Sequence, residues 1–441
     1  MTRILGLSLV VSLGGLGGLA SGCGADAEAP PADATTAPAA VPADATPDDE
    51  EPAIADPPEP PEGASPTGTP PAAATPKAGC VSNVTIAGHP AWLFFTRPDD
   101  PCTGMAGSGL DSNVLDELTR LIDSVPAGGR IDGHIYSISV DGVARALVKA
   151  QTRGVDVWIS TDGAVATSTD PAKTTYLDQL THKVYCASAT TSSCVSTAAD
   201  AISHTKLFVF STATAPDGKT SNDVVWLGSA NQTYASGMRL YNNTVTVYGD
   251  NPLFTKLRAY LDDLYSRRTQ ADYYDPTSGR GHYLTDSADV YVSPELQTDL
   301  VVNRLDDITP DAQCEVRVLH ASVRDSRLAV VNRLVALKNG GCKVTVVADT
   351  VEPQALAALT AGGIKVFKKP IHDKSFIVHA KYGNAYAYRV YTGSHNLSGG
   401  SAHRFDEIFV KLAAESGAQH PVYDAYYTHF DDALKGAAPR N

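Results

Sequence analysis

Positive charge is what this sequence has little of. Its 35 Lys and Arg residues stand against 49 Asp and Glu, a formal net charge of −14. A chain that grips nucleic acid through bulk charge needs a basic footprint, so the balance argues against DNA as the main partner. The deficit is uneven: between Gly24 and Gly79 eleven acids face the single Lys77, which leaves a net −5 from Cys80 onward. Long apolar runs are also scarce. Only Ile4 to Leu19 stands out, and it is too short to span a bilayer as a mature helix. No C-x-x-C spacing occurs, which removes the usual zinc signature, and neither metal nor cofactor is expected.

The N-terminus has the shape of an export signal. Arg3 precedes the apolar stretch, which ends in Leu19-Ala20-Ser21-Gly22-Cys23. Residues 1–23 therefore read as a signal peptide of lipoprotein type with Cys23 as the lipidated residue, and the expected location is outside the cytoplasm: anchored to a membrane, or secreted or periplasmic. A plain secretory signal cleaved near Ala20 to Gly22 is the alternative. Residues 24–79 are Ala, Pro, Thr, Asp and Glu with almost no large apolar side chains. They cannot bury enough surface to offset chain entropy, so a disordered tether is expected. Six cysteines remain, an even number that suits disulfides in an exported chain. Proximity in sequence favours Cys80–Cys102, Cys186–Cys194 and Cys314–Cys342. The last pair opens two neighbouring apolar runs, which parallel strands would start at one sheet edge.

From residue 110 onward strands and helices alternate. Val114, Leu115, Leu118, Leu121, Ile122 and Val125 recur at helical spacing behind Asp111 or Ser112 as cap. A strand over 130–138, a helix over 143–150 and a strand over 155–159 follow. The order returns with a strand at 315–319, a helix at 327–337 and a strand at 343–347, then a helix at 353–360 and a strand at 364–367. A helix over 251–265 closes the first series. The Tyr423, Tyr426, Tyr427 and Phe430 spacing reads as the core face of another helix. Strand–helix–strand order implies a largely parallel sheet flanked by helices, and its repetition implies two related units, joined near 270–300.

Each series ends in the same short text. The first is His204-Thr205-Lys206 leading into an apolar strand, then a turn, a second apolar strand and Gly228-Ser229-Ala230-Asn231. The second is His372-Asp373-Lys374, then Gly393-Ser394-His395-Asn396. Positions i and i+2 of a strand share a face, so His and Lys point together, and a hairpin return would bring Ser and Asn beside them. An imidazole can attack phosphorus, a second imidazole can protonate the leaving oxygen, and lysine, amide and hydroxyl groups can hold the non-bridging oxygens. His379-Ala380-Lys381 is a rival for the second motif, but it runs into a turn, and the strand pattern favours His372. His134 and His320 fall in matching parts of the two series and are candidates to line a cleft. His395 sits near the site by its place in the motif.

The paired H-x-K…G-S-x-N text resembles the phospholipase D superfamily, over roughly residues 110–435. The resemblance implies an α/β fold of two fused pseudo-symmetric halves, 80–275 and 276–441, each a mixed or parallel sheet flanked by helices, around one active site. It implies His204 as nucleophile forming a phosphohistidine and His372 as acid and then base. Lys206, Lys374, Asn231 and Asn396 would bind the phosphate, with Ser229, Ser394 and Glu407 on the substrate side. The sequence departs from the family where an Asp is usual seven residues after the histidine: Ser211 and His379 stand there. Family members also carry a downstream acid that orients the partner histidine. Asp406-Glu407 supplies it in the second half, where the first half has Asn242-Asn243. The expected reaction is hydrolysis of a phospholipid headgroup to phosphatidic acid at a membrane surface, without a protein partner. The alternatives are a secreted nuclease acting on DNA or RNA, a phosphatidyltransferase, and an inactive binding module.

Overall fold

The fold was read from a computed structural model that describes residues 77–103, 109–188 and 190–440. The expected signal peptide, Cys23 and nearly all of the expected tether lie outside the described residues.

The first series builds strands β1 (Val81–Ile86), β2 (His89–Phe95), β3 (Arg130–Ile135), β4 (Asp156–Asp162), β5 (His182–Cys186), β6 (Leu207–Thr214), β7 (Thr220–Gly228) and β8 (Asn243–Val247). Helices α1 (Asn113–Ser124), α2 (Asp141–Thr152) and α3 (Asn251–Ser266) accompany them. The second builds β9 (His282–Leu284), β10 (Ala288–Ser293), β11 (Glu315–Val323), β12 (Lys343–Val351), β13 (Lys365–Lys368), β14 (Lys374–Tyr382), β15 (Ala385–Gly393), β16 (Glu407–Leu412) and β17 (Ala438–Pro439). Its helices are α4 (Leu300–Asp306), α5 (Leu328–Asn339), α6 (Pro353–Ala361), α7 (Gly399–His403) and α8 (Pro421–Leu434).

The first sheet runs β1-β2-β8-β7-β6-β3-β4-β5 and the second β17-β13-β12-β11-β14-β15-β16-β10-β9. Read from β9, the second order repeats the first strand for strand, with β17 added at the far edge. In each sheet two parallel pairings (β3–β4–β5; β11–β12–β13) adjoin antiparallel ones (β6–β7–β8; β14–β15–β16). The architecture is thus α/β, with two mixed sheets flanked by helices.

Alternation along each strand explains the layering. Leu207 and Val209 of β6 join Ile377 of β14 and Val390 of β15 in one apolar cluster that draws on both sheets and on α3 and α8. The intervening Phe208 and Phe210 face α1 and α2, and Phe376 and Val378 face α4, α5 and α6. The Tyr-rich segment is the core face of α8: Tyr423, Tyr426 and Phe430 are buried. All three expected disulfides form. Cys314 and Cys342 each precede a strand, and Glu315 pairs with Lys343 in the parallel ladder, as the shared-edge argument requires.

Candidate active site

Both motifs sit at the start of a central strand and on its hairpin return. In each, the lysine ammonium donates to the carbonyl two residues back: Lys206 Nζ to His204 O at 2.8 Å and Lys374 Nζ to His372 O at 2.7 Å. The glycine that opens G-S-x-N is there because the next strand passes against it. A Cβ on Gly228 would stand 2.3 Å from the Asn243 carbonyl oxygen, and one on Gly393 would stand 2.3 Å from that of Ile408. Gly393 also has φ +126°, a conformation that favours glycine. The following serine then donates to that return strand: Ser229 Oγ reaches Asn242 Oδ1 at 3.1 Å, and Ser394 Oγ reaches Glu407.

Each histidine is held by the other repeat. His204 Nδ1 lies 2.8 Å from Glu407 Oε1, and the His204 N–H donates to Asp406 O at 2.9 Å. His372 Nδ1 lies 2.9 Å from Asn242 Oδ1, and the His372 N–H donates to Tyr241 O at 3.0 Å. Glu407 and Asn242 are therefore equivalent residues of different chemistry. The Asn242 amide is fixed the oxygen way round, because its Nδ2 donates to Ser236 O at 2.7 Å and Leu240 O at 3.1 Å. Both histidines thus carry a proton on Nδ1 and direct Nε2 away from the partner. Glu407 is fully buried and accepts a further bond from Ser401 Oγ at 2.7 Å. Burial pushes its carboxyl up, but the adjacent His204 and Lys206 charges outweigh this and hold it below the ordinary value.

Asp406, one residue earlier, is also fully buried and is caged by the first repeat. Its carboxylate accepts from the N–H groups of Cys194 (2.7 Å), Val195 (3.2 Å) and Ser196 (2.9 Å) and from Ser193 Oγ (2.5 Å). Burial raises its pKa despite these donors. The Cys186–Cys194 disulfide ties the caging segment to β5. Its other flank is held by Asp162, which accepts from Ser203 N–H at 2.7 Å and Ser192 Oγ at 2.9 Å.

The pairings Leu207↔Leu227 and Phe376↔Tyr391 set the start of each H-x-K strand opposite the end of its hairpin return, so His204, Lys206, Ser229 and Asn231 fall at one strand end and His372, Lys374, Ser394 and Asn396 at the equivalent end. Asn231 Nδ2 donates to Ser236 Oγ at 2.7 Å. The sequence expectation placed Glu407 among substrate-side residues; the contacts it makes are to His204, Ser394 and Ser401. His379 lies seven residues along the strand from His372, roughly 20 Å at strand rise, where it stacks on Tyr388 at 4.3 Å between ring centroids. Ser211, its counterpart, accepts from the Arg130 N–H at 2.8 Å.

His134 and His320 are not equivalent, contrary to expectation. His134 pairs with Leu207 and His320 with Lys374, one motif position earlier, so the two face opposite sides of their sheets. His134 bonds Ser160 Oγ at 2.9 Å and Ser203 O at 3.0 Å, and burial drives it down to about 3. His320 packs edge-on against Phe376 and is held well below its ordinary value by burial. His395 is also buried, which lowers it to about 4.

Sequence reading passed over Tyr136. Its ring meets the His204 ring edge-on at 4.6 Å, and the Lys206 ammonium lies 4.8 Å over it. It also passed over the serine pair Ser236 and Ser401, although both stand five residues after the motif asparagine.

Residues 118–265, which hold the first motif, match the family model described as cardiolipin synthase, PLD-like domain. No curated protein sequence matched the chain. Among solved structures it is similar to Nuc, a phospholipase D family member from Salmonella typhimurium, at 22% identity over 35% of this chain and 98% of that one, with a TM-score of 0.28. It is similar to phosphatidylserine synthase from Haemophilus influenzae at 10% identity over 75% and 86% of the two chains (TM-score 0.49). It is also similar to polyphosphate kinase from Porphyromonas gingivalis at 12% identity over 78% and 55% (TM-score 0.46). The family match over residues 118–265, which hold the first motif, and the recurrence of that motif and its strand order in the second repeat support membership of the phospholipase D superfamily.

Proposed function

We propose that the protein is a phosphodiesterase that hydrolyses phospholipid headgroups to phosphatidic acid through a phosphohistidine on His204. The observation that carries this reading is the unlike partnering of two otherwise equivalent histidines: a carboxylate on His204 and a neutral amide on His372.

The chemistry follows from that difference. With Nδ1–H directed to Glu407, the neutral His204 presents the Nε2 lone pair. Attack on phosphorus forms the N–P bond and breaks the P–O bond to the headgroup alcohol. His372, entering protonated, gives its Nε2 proton to the departing oxygen. The N-phosphorylated imidazole is cationic, and the buried Glu407 carboxylate stabilises it where water screens little. Asn242 orients His372 without adding negative charge, which leaves its imidazolium a readier proton donor. Lys206, Lys374, Asn231 and Asn396 offset charge on the non-bridging oxygens. A water then attacks phosphorus, neutral His372 takes its proton, the N–P bond breaks, and phosphatidic acid leaves.

A membrane surface outside the cytoplasm is the proposed setting. The three disulfides support an oxidising compartment, and the low positive charge of the folded part favours lipid over nucleic acid as substrate. The test is release of phosphatidic acid and free headgroup from mixed phospholipid vesicles in EDTA, comparing wild type with His204→Ala. Release by wild type alone supports the reading. No release from any lipid, with cleavage of single- or double-stranded DNA instead, overturns it in favour of a nuclease.

A further inference from the structure

The two flanks of the site differ in chemistry although their backbones repeat. The bridges Ile138↔Gln232 and Val323↔Leu397 fix the correspondence, since Gln232 and Leu397 each follow a motif asparagine. Counting from them, Tyr136 matches Ala321, Ile135 matches His320, Gly142 matches Arg327 and Ala230 matches His395. The His204 flank is therefore aromatic and apolar: the Tyr136 ring packs with Ile202 and Phe405. The His372 flank carries two histidines and an arginine where the first repeat has Ile, Ala and Gly.

These three groups form one cluster. His320 is the cross-strand partner of the phosphate-side Lys374. The His320 ring lies 5.3 Å from Phe376, the His395 ring 5.8 Å from Phe409, and the two phenyl rings are 6.5 Å apart. Arg327 donates from Nη2 to Asp299 at 2.9 Å. The turn that bears it is fastened beside Asn396, because Arg324 N–H donates to Leu397 O at 2.9 Å. Arg327, His320 and His395 are each at most 3% exposed. Arg327 Nε and the Nδ1 atoms of both histidines have no hydrogen-bond partner. Buried polar atoms are usually met by a partner, so three unmet nitrogens gathered beside the second motif are suited to completion by a ligand. An arginine Nε–H can only donate, so what completes it is an acceptor, and beside an arginine an anionic one.

We infer that this flank is a specificity subsite for an acidic group, carboxylate or second phosphate, on the alcohol that leaves toward His372. The inference rests on the assignment of His372 as the proton donor. With Asp299 holding Nη2 of Arg327, an acidic group would complete its Nε side, and a choline headgroup, which offers no acceptor there, would be discriminated against.

Calorimetric binding to the full chain tests the subsite without requiring turnover. The probes are glycerophosphoserine (carboxylate), bis(glycerophospho)glycerol (second phosphate) and glycerophosphocholine (neither). Wild type should bind at least one acidic probe tenfold or more tighter than glycerophosphocholine, and the tighter of the two names the acid. Arg327→Gln should reduce that ratio to within about twofold of one. His395→Ala, which installs the residue of the other repeat, should reduce it by about threefold and guards against a misfolded arginine variant. Equal affinities in wild type, or an unchanged ratio in both variants, overturns the inference. Phosphatidic acid release is scored separately, so a protein that selects acidic probes but cleaves no lipid would refute the proposed reaction and not the subsite.

Discussion

One carboxylate and one amide distinguish the surroundings of two otherwise equivalent histidines, and the roles proposed for them are testable atom by atom. Glu407→Gln keeps the size of the side chain but removes the charge facing His204. The expected result is a loss in kcat of about 10²–10⁴ with little change in KM, as for removal of an orienting carboxylate elsewhere, measured as phosphatidic acid release. His395 supports a prediction in pH. Burial holds it at about 4, below its ordinary 6.5. Between those values the unfolded chain takes up a proton that the native chain refuses. The stability His395 confers is therefore full above pH 6.5 and is lost as pH falls toward 4. From pH 7 to 5 this amounts to about 2 kcal/mol, and denaturant unfolding of His395→Ala should show a pH dependence shallower by that amount. At this scale the sequence displayed most of the candidate site, because H-x-K and G-S-x-N are contiguous text. It could not display which return-strand residue meets which histidine, since those contacts span 203 residues in one case and 130 in the other. Tyr136 was illegible for the same reason.

Among the elements, the helices and central strands announced themselves by periodicity, and their observed limits lie close to the expected ones. The edge hairpins did not. The turn joining β1 to β2 uses Ala87 and Gly88 at φ 48° and 89°, outside the usual Asn-Gly signature, and Pro90 disguises β2. The mismatch of His134 and His320 has a similar origin: a strand shifted by one residue presents its other face, and composition alone does not reveal the register. The return strands β8 and β16 carry two expectations. Gly393→Ala forces a Cβ against the Ile408 carbonyl at a φ that alanine avoids, so it should cost about 1–3 kcal/mol in denaturant unfolding and lower activity with it. Asp406→Asn weakens the cage around the residue next to Glu407. It should lower kcat at least tenfold while the fraction folded, read by circular dichroism, stays near wild type at 25 °C.

The whole molecule was partly legible from its cysteines. Short sequence separations and a shared strand edge sufficed to pair all six, since the bridges close loops of 8 to 28 residues and each stays within one repeat. Replacing Cys314 and Cys342 by serine should remove about 2–4 kcal/mol of stability, read as a lower denaturant midpoint, with the other two bridges intact by mass. The cross-repeat clasp has a consequence that reaches past the chemistry. A chain with a single unit could assemble such a site only by docking with a copy of itself, and symmetry would then give both histidines the same partner. Joining two copies in one chain releases them from that identity. Asn242 and Glu407 were free to differ, and so were Tyr136 and Ala321, so that two halves built alike could take the unlike roles proposed for their histidines.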